Sequence, residues 1–158
     1  MGLNSGIKQW LKGLFGDHND STNDVDDQVN RMYRMPLAVF GPADAGATDD
    51  VADSYFYEAN EDCKVISAGI LYSGTDEAAH TDNYVTFNLK KADGTGGTAA
   101  VIATANTSAT ALENGELFAL TVSTADIDAG EVLALGVSKA GTGIDLGTYA
   151  LVVELEGT

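Results

Sequence analysis

A single cysteine, Cys63, serves all 158 residues. An internal disulfide is therefore excluded, and nothing in the cysteine usage implies an oxidising compartment. A chain of this length can bury a core without such staples. Basic residues are scarce beyond the N-terminus. Lys64, Lys90, Lys91 and Lys139 are the ones after position 34, in a chain with 24 acids and a net charge of −16. A body of that sign repels phosphates, so no nucleic-acid partner is expected, and a solvated, strongly soluble surface is the plain reading. Long apolar runs are missing as well. None approaches the roughly 20 residues that a membrane helix needs. The apolar stretch at 7–15 is broken by Lys8, Gln9, Lys12 and Gly13, and no small-residue cleavage site follows, so no secretory leader is expected. Gly6 stands where a myristoylation signal needs Ser or Thr.

Groups for catalysis are equally thin. The two histidines are His18, in an acidic stretch, and His80, in a polar loop near Asp76, Glu77 and Asp82. That spacing fits no recognised metal site. No serine sits in a G-x-S-x-G elbow. Cys63 opens an apolar run and reads as a structural thiol. The glycine-rich pieces at 94–97 and 141–143 lack the lysine and following helix of a phosphate loop, and hairpin turns explain them. Asp126, Asp128 and Glu131, in ADIDAGE, come nearest to a calcium cluster, but one turn supplies too few ligands by itself. An Asx-type turn is the simpler reading. No enzyme activity, metal or cofactor is expected.

What is present is alternation. In GEVLALGVSKAGTGIDLGTYALVVELE, residues 130–156, Leu133, Leu135 and Val137 share one face, and Tyr149, Leu151, Val153 and Leu155 share another. Side chains of a strand point to opposite sides in turn, so each run makes one oily face. With glycines between them, the two runs predict an oily hairpin that further strands must cover.

Those strands are predicted at 36–40, 54–58, 63–72, 84–91, 98–104 and 117–123. In the second, Tyr55 and Tyr57 share a side opposite Phe56. In the third, Ile66, Ala68 and Ile70 oppose Val65 and Leu71, and oiliness on both faces makes it central. Val85, Phe87 and Leu89 point inward from the fourth, and Phe118, Leu120 and Val122 share a face of the sixth. Asp93-Gly94 and Gly96-Gly97 mark a turn after the fourth. Eight short strands with turns between them predict an all-β, antiparallel eight-stranded β-sandwich, jelly-roll-like, over residues 35–158. No repeat of fixed period points to a solenoid or propeller.

Residues 1–34 form a separate N-terminal arm. Leu3, Ile7, Trp10, Leu11 and Leu14 recur at i, i+3, i+4 and i+7 spacing with Phe15 beside them, which predicts a short amphipathic helix over 3–15. Asn4 or Ser5 can cap its start and Gly16 can end it. So short a helix does not hold alone in water and must dock. Burying five such side chains offers ~7–15 kcal/mol gross, before ordering costs. Lys8 and Lys12 suit a membrane surface, but two charges on one short helix bind it only marginally, so no membrane partner is expected. Residues 17–30, DHNDSTNDVDDQVN, read as an acidic linker. Asp17 and Asn19 begin like an EF-hand, but its glycine and bidentate glutamate are missing.

The order SYFYEANEDCKVISAGILY, NYVTFNLKKADGTGGTA, LTVSTADIDAGEVLALGVSKAGTG and YALVVELE resembles small tailed-bacteriophage head proteins, the capsid decoration (cement) proteins and related head-fibre bases. Their closing pattern, I-x-A-G-D/E-x-L-x-L-x-V-x-K-x-G-T-G, corresponds to residues 127–143. The resemblance covers about residues 35–156 and leaves the arm out. It implies a jelly-roll-like structural protein, often a homotrimer. Such a protein sits on the outer surface of an icosahedral capsid and clamps neighbouring major capsid protein subunits. The expected location is then the virion, after synthesis in the host cytoplasm. In that role the partner-binding arm is Leu3, Ile7, Trp10, Leu11, Leu14 and Phe15, docking on capsid or on a neighbouring copy. The alternative is a carbohydrate-binding sandwich for host adhesion, with glycans held on an exposed platform drawn from Tyr33, Tyr55, Tyr57, Tyr72, Tyr84 and Tyr149. In strands such residues more often pack the sheet.

Overall fold

A computed structural model of the chain describes residues 35–40, 51–141, 144 and 146–157, with side chains from Asp53 onward. The alternating runs form ten strands, and no helix occurs among the described residues. The strands are β1 (Met35–Phe40), β2 (Val51–Glu58), β3 (Cys63–Ser73), β4 (Tyr84–Ala92), β5 (Ala100–Asn106), β6 (Leu117–Ala119), β7 (Thr121–Val122), β8 (Asp126–Ile127), β9 (Val132–Ala140) and β10 (Thr148–Gly157). They make two antiparallel sheets. The first runs β1-β10-β3-β6, with β8 also on β3, and the second runs β2-β9-β4-β5-β7.

The oily faces meet between the sheets. Ile70, Tyr72, Tyr149, Leu151 and Val153 come from the first, and Val85, Phe87, Leu89, Leu133 and Leu135 from the second, all buried in one cluster. Phe87 joins the layers. Its ring lies edge-on to Phe118 at 6.2 Å and to Tyr149 at 5.6 Å. Such edge-to-face contacts suit the ring quadrupoles and add to the area buried. Leu112 and Leu146 close one end of the core, where Glu77 and Leu112 exchange backbone hydrogen bonds of 2.9 Å.

The inward positions anticipated for β4, β9 and β10 are the buried ones. The pairing differs from the expected hairpin. β9 pairs with β2 and β4, whereas β10 pairs with β1 and β3, so the two halves of residues 130–156 belong to different sheets. Their oily faces oppose each other through the core instead of lying side by side.

The predicted strand at 117–123 also divides. β6 pairs with β3 in the first sheet and β7 with β5 in the second. Leu120 is buried at the crossing, and its amide donates to the Ala68 carbonyl at 2.8 Å. Residues 126–127, expected as turn, return to the first sheet as β8. An apolar side chain at the gap lets one segment close the open edge of both layers, a corner of the kind sandwiches use.

Two bulges shift side chains from their expected faces. β3 slips against β10 between the pairs Ser67↔Glu154 and Val65↔Leu155. The extra residue, Ile66, is 39% exposed, while Val65 joins Ala68 and Ile70 in the core. One added residue reverses the alternation beyond it. β2 slips between Tyr55 and Tyr57, so Phe56 and Tyr57 both pack against the core and Tyr55 faces solvent. β3 is central in its sheet, as its oiliness indicated.

Candidate interaction surface

The outer faces of the two sheets differ in chemistry. On the second sheet, Thr86, Asn88, Lys90 and Ser138 alternate with the core residues and are half-buried. The Thr104 hydroxyl donates to Asn88 Oδ1 at 2.8 Å. Lys90 Nζ reaches Asp53 Oδ1 at 2.7 Å. That pair lies over Gly136, where a Cβ would stand 2.7 Å from the Asp53 oxygen and 2.8 Å from Lys90 Cε. One row of this face runs Tyr55, Ala134, Lys90 and Val101, and leaves Tyr55 56% and Val101 46% exposed.

On the first sheet the exposed apolar residues are direct cross-strand neighbours. Its register aligns Leu117, Leu71 and Ala150 in one row, and Ala119, Gly69 and Val152 in the next. Leu117 is 57% exposed and Leu71 43%. Leu117 leans over Gly69, where a Cβ would lie 2.9 Å from its Cγ and Cδ1. Acids and a lysine border these rows. Ser67 Oγ donates to Glu154 at 3.2 Å, and Lys64 stands 3.8 Å from Asp126. Beside Leu117 a cleft of about 610 Å³ opens between β6 and the end of β5, lined by Thr104, Asn106, Thr110, Glu113, Glu116 and Phe118 among others. Two exposed leucines in register, with a polar rim on a highly charged body, make this face a candidate contact surface.

The candidate chemical groups have structural partners. In the ADIDAGE turn, one oxygen of Glu131 accepts from the Asp128 amide and from Lys91 Nζ, each at 2.8 Å. The same ammonium donates to the Asp126 carbonyl at 3.1 Å, and the Ala129 amide donates to Asp62 at 2.9 Å. A lysine thus sits where a calcium ion would need to be. Burial alone would raise the Glu131 carboxyl, but the Lys91 hydrogen bond, the Asp128 amide and the Lys91 charge together hold it below the usual range. No group of three His, Cys, Asp or Glu among the described residues is arranged to hold a metal ion.

His80 is part of its loop's backbone scaffold. Its Nδ1 accepts from the amides of Asp82 at 3.1 Å and Asn83 at 3.0 Å. Asp76 accepts from the Asn114 amide at 2.8 Å. The Cys63 thiol is buried, and burial first and the nearby Glu61 charge second push its pKa up, against a hydrogen bond with Tyr57 that lowers it. A raised pKa suppresses the reactive thiolate. In the turn after β4, the Thr95 amide and hydroxyl bind the Asp93 carboxylate at 2.9 and 2.8 Å, and these bonds lower its pKa.

The arm residues Leu3, Ile7, Trp10, Leu11, Leu14 and Phe15, with Tyr33, lie outside the described residues. Of the other tyrosines, Tyr72 and Tyr149 are core, Tyr57 and Tyr84 are half-buried, and Tyr55 is 56% exposed. They form no shared platform. The patch around Leu71 and Leu117 was not legible from spacing. Leu71 was assigned to the second oily face of a central strand, which reads as burial, and only the register with β6 and β10 shows that face turned outward.

No protein-family model, curated protein or solved structure matches this chain.

Proposed function

We propose that the chain is a structural virion protein that binds the outer surface of an icosahedral phage capsid and clamps neighbouring capsid subunits. The observation that carries this reading is the strand order. Taking β6, β7 and β8 as one interrupted strand leaves eight, in sheets ordered first-eighth-third-sixth and second-seventh-fourth-fifth. We read that order as jelly-roll-like, an architecture common in capsid and lectin domains. The fold alone does not assign a function. The apolar outer face of the first sheet adds a contact surface, and the resemblance of residues 127–143 to decoration proteins supplies the class of partner. A symmetric oligomer, a homotrimer in this reading, presents several arms at once, and linked weak contacts sum to firm attachment. No catalytic step is required.

The test mixes the purified chain with undecorated shells. Saturable, stoichiometric binding is expected, weakened by deletion of residues 1–16. Absence of binding to any shell would sink the reading. The solution mass decides the oligomer number.

The adhesion alternative draws on the cleft beside β6, whose threonines, Asn106 and two glutamates could hydrogen-bond sugar hydroxyls. Among the described residues, Phe118 is the one aromatic that lines that cleft. A glycan array blank across all classes would remove it.

A further inference from the structure

Leu71 and Leu117 are exposed side by side, and residues 3–15 of the chain carry an apolar stripe. We propose that residues 3–15 of the same chain occupy the apolar outer face of the β1-β10-β3-β6 sheet. The proposal concerns the free chain and does not depend on the virion reading, in which the arm and the face exchange this contact for the capsid.

Three observations support this occupant. The first is where the arm ends. Residue 34 is followed at once by β1, an edge strand of this very sheet. Met35 pairs with Leu155, and Phe40 with Ala150, which lies in the row of Leu71 and Leu117. From Met35 to Leu117 is therefore five residues along the strands, roughly 17 Å, and three strand spacings across, roughly 14 Å, or about 22 Å in all. A chain the length of residues 16–34 averages roughly 24 Å end to end as a coil. Effective concentration is highest when a tether's mean length matches the span it bridges. The face is thus offered to its own arm before any other partner.

The second is shape. Leu117 lies over Gly69 and pairs with Leu71, which pairs in turn with Ala150. Gly69, Ala119 and Ala150 are small residues in the same rows as the two exposed leucines, so an apolar segment can approach the sheet closely. Leu3, Ile7, Trp10, Leu11 and Leu14 form one stripe at helical spacing. An apolar stripe in an apolar groove is a common way for an amphipathic segment to seat.

The third is charge. Lys8 and Lys12 are the cations of residues 3–15. Glu154 and Glu156 on β10, and Glu113 and Glu116 by the cleft, border the face. Opposite charges at a rim favour this seat over an acidic competitor.

Trp10 is the chain's single tryptophan, so its fluorescence in the full-length protein reports docking directly. Blue-shifted emission and protection from acrylamide are expected, unchanged on wide dilution. The Leu71→Asp/Leu117→Asp variant should shift emission to longer wavelength and raise quenching several-fold, with its far-ultraviolet circular dichroism retained. Ala119→Arg, at an exposed site on the same face, provides the same readout should the double variant misfold. Solvent-like Trp10 emission in the free wild-type protein would overturn the proposal. So would emission indifferent to both variants. Protection that disappears on dilution would assign the face to a second copy and overturn it as well. Shell binding is measured separately, so any of these results leaves the virion reading standing.

Discussion

Glu131 and Lys91 meet at 2.8 Å, and the same Glu131 oxygen accepts the Asp128 amide. Glu131 is the acidic position of the closing pattern at residues 127–143. Its carboxylate ties the turn before β9 to β4, the strand that β9 pairs with. Glu131→Gln should cost about 1 kcal/mol, the scale of a partly buried charged hydrogen bond. Chemical denaturation at neutral pH checks this.

The acid limb of the stability curve follows from the same residue. Folding lowers the Glu131 and Asp93 pKa values. Their contribution is therefore complete above about pH 5 and is lost as pH falls through the folded values. Between pH 5 and pH 3, Glu131→Gln should lose less stability than wild type. A parallel decline of the two proteins would contradict the assignment.

Calcium should leave the cooperative unfolding midpoint unchanged, because the Lys91 ammonium already engages the Asp126 carbonyl and the Glu131 carboxylate of the acidic turn at 126–131. Thermal unfolding with added calcium or with chelator tests this. A rise with calcium would show that the acids bind an ion despite the lysine.

Two neighbouring glycines should respond differently to alanine. Gly94 has φ +72° and Gly96 has φ +91°, so both substitutions strain the backbone. A Cβ at Gly94 would also stand 2.8 Å from the Gly130 carbonyl oxygen, whereas nothing lies within 4 Å at Gly96. Gly96→Ala should cost about 1–2 kcal/mol, and Gly94→Ala more. Equal costs would mean that the Gly94 turn does not pack on the Gly130 turn.

Tyr149→Phe should be neutral or stabilising by about 1 kcal/mol. The Tyr149 hydroxyl is buried without a hydrogen-bond partner, and removing an unsatisfied group relieves its desolvation cost. Burial pushes this phenol up to about 12. The unfolded chain ionises near pH 10, so the folded state holds the proton longer and stability falls between about pH 10 and 12. The phenylalanine variant should lose less over that window in a pH-dependent unfolding series.

Much of the sandwich could be read from residue order because alternation is local. Val85, Phe87 and Leu89, or Tyr149, Leu151, Val153 and Leu155, must share a face in any extended chain. The bulge at Ile66 was not readable this way. An extra residue leaves no mark in an apolar run, and only the partner strand shows the slip. The Lys91 partnership of the ADIDAGE turn was hidden for a similar reason. Lys91 is forty residues from Glu131, and spacing within the motif says nothing of a cation arriving from another strand.

The sequence by itself determined the all-β character of the described residues, the positions of most strands, the inward sides of β4, β9 and β10, and a strongly acidic composition. Tertiary structure decided which strands became neighbours. An oily strand face is satisfied equally by a partner across the core or by a hairpin mate's shared layer, so the pattern in residues 130–156 could not tell a hairpin from two strands in opposite sheets. The choice rests on backbone pairing with β2, β4, β1 and β3, contacts between distant parts of the chain. The same long-range register turned Leu71 and Leu117 to the outside together, creating an apolar face that neither strand announces alone.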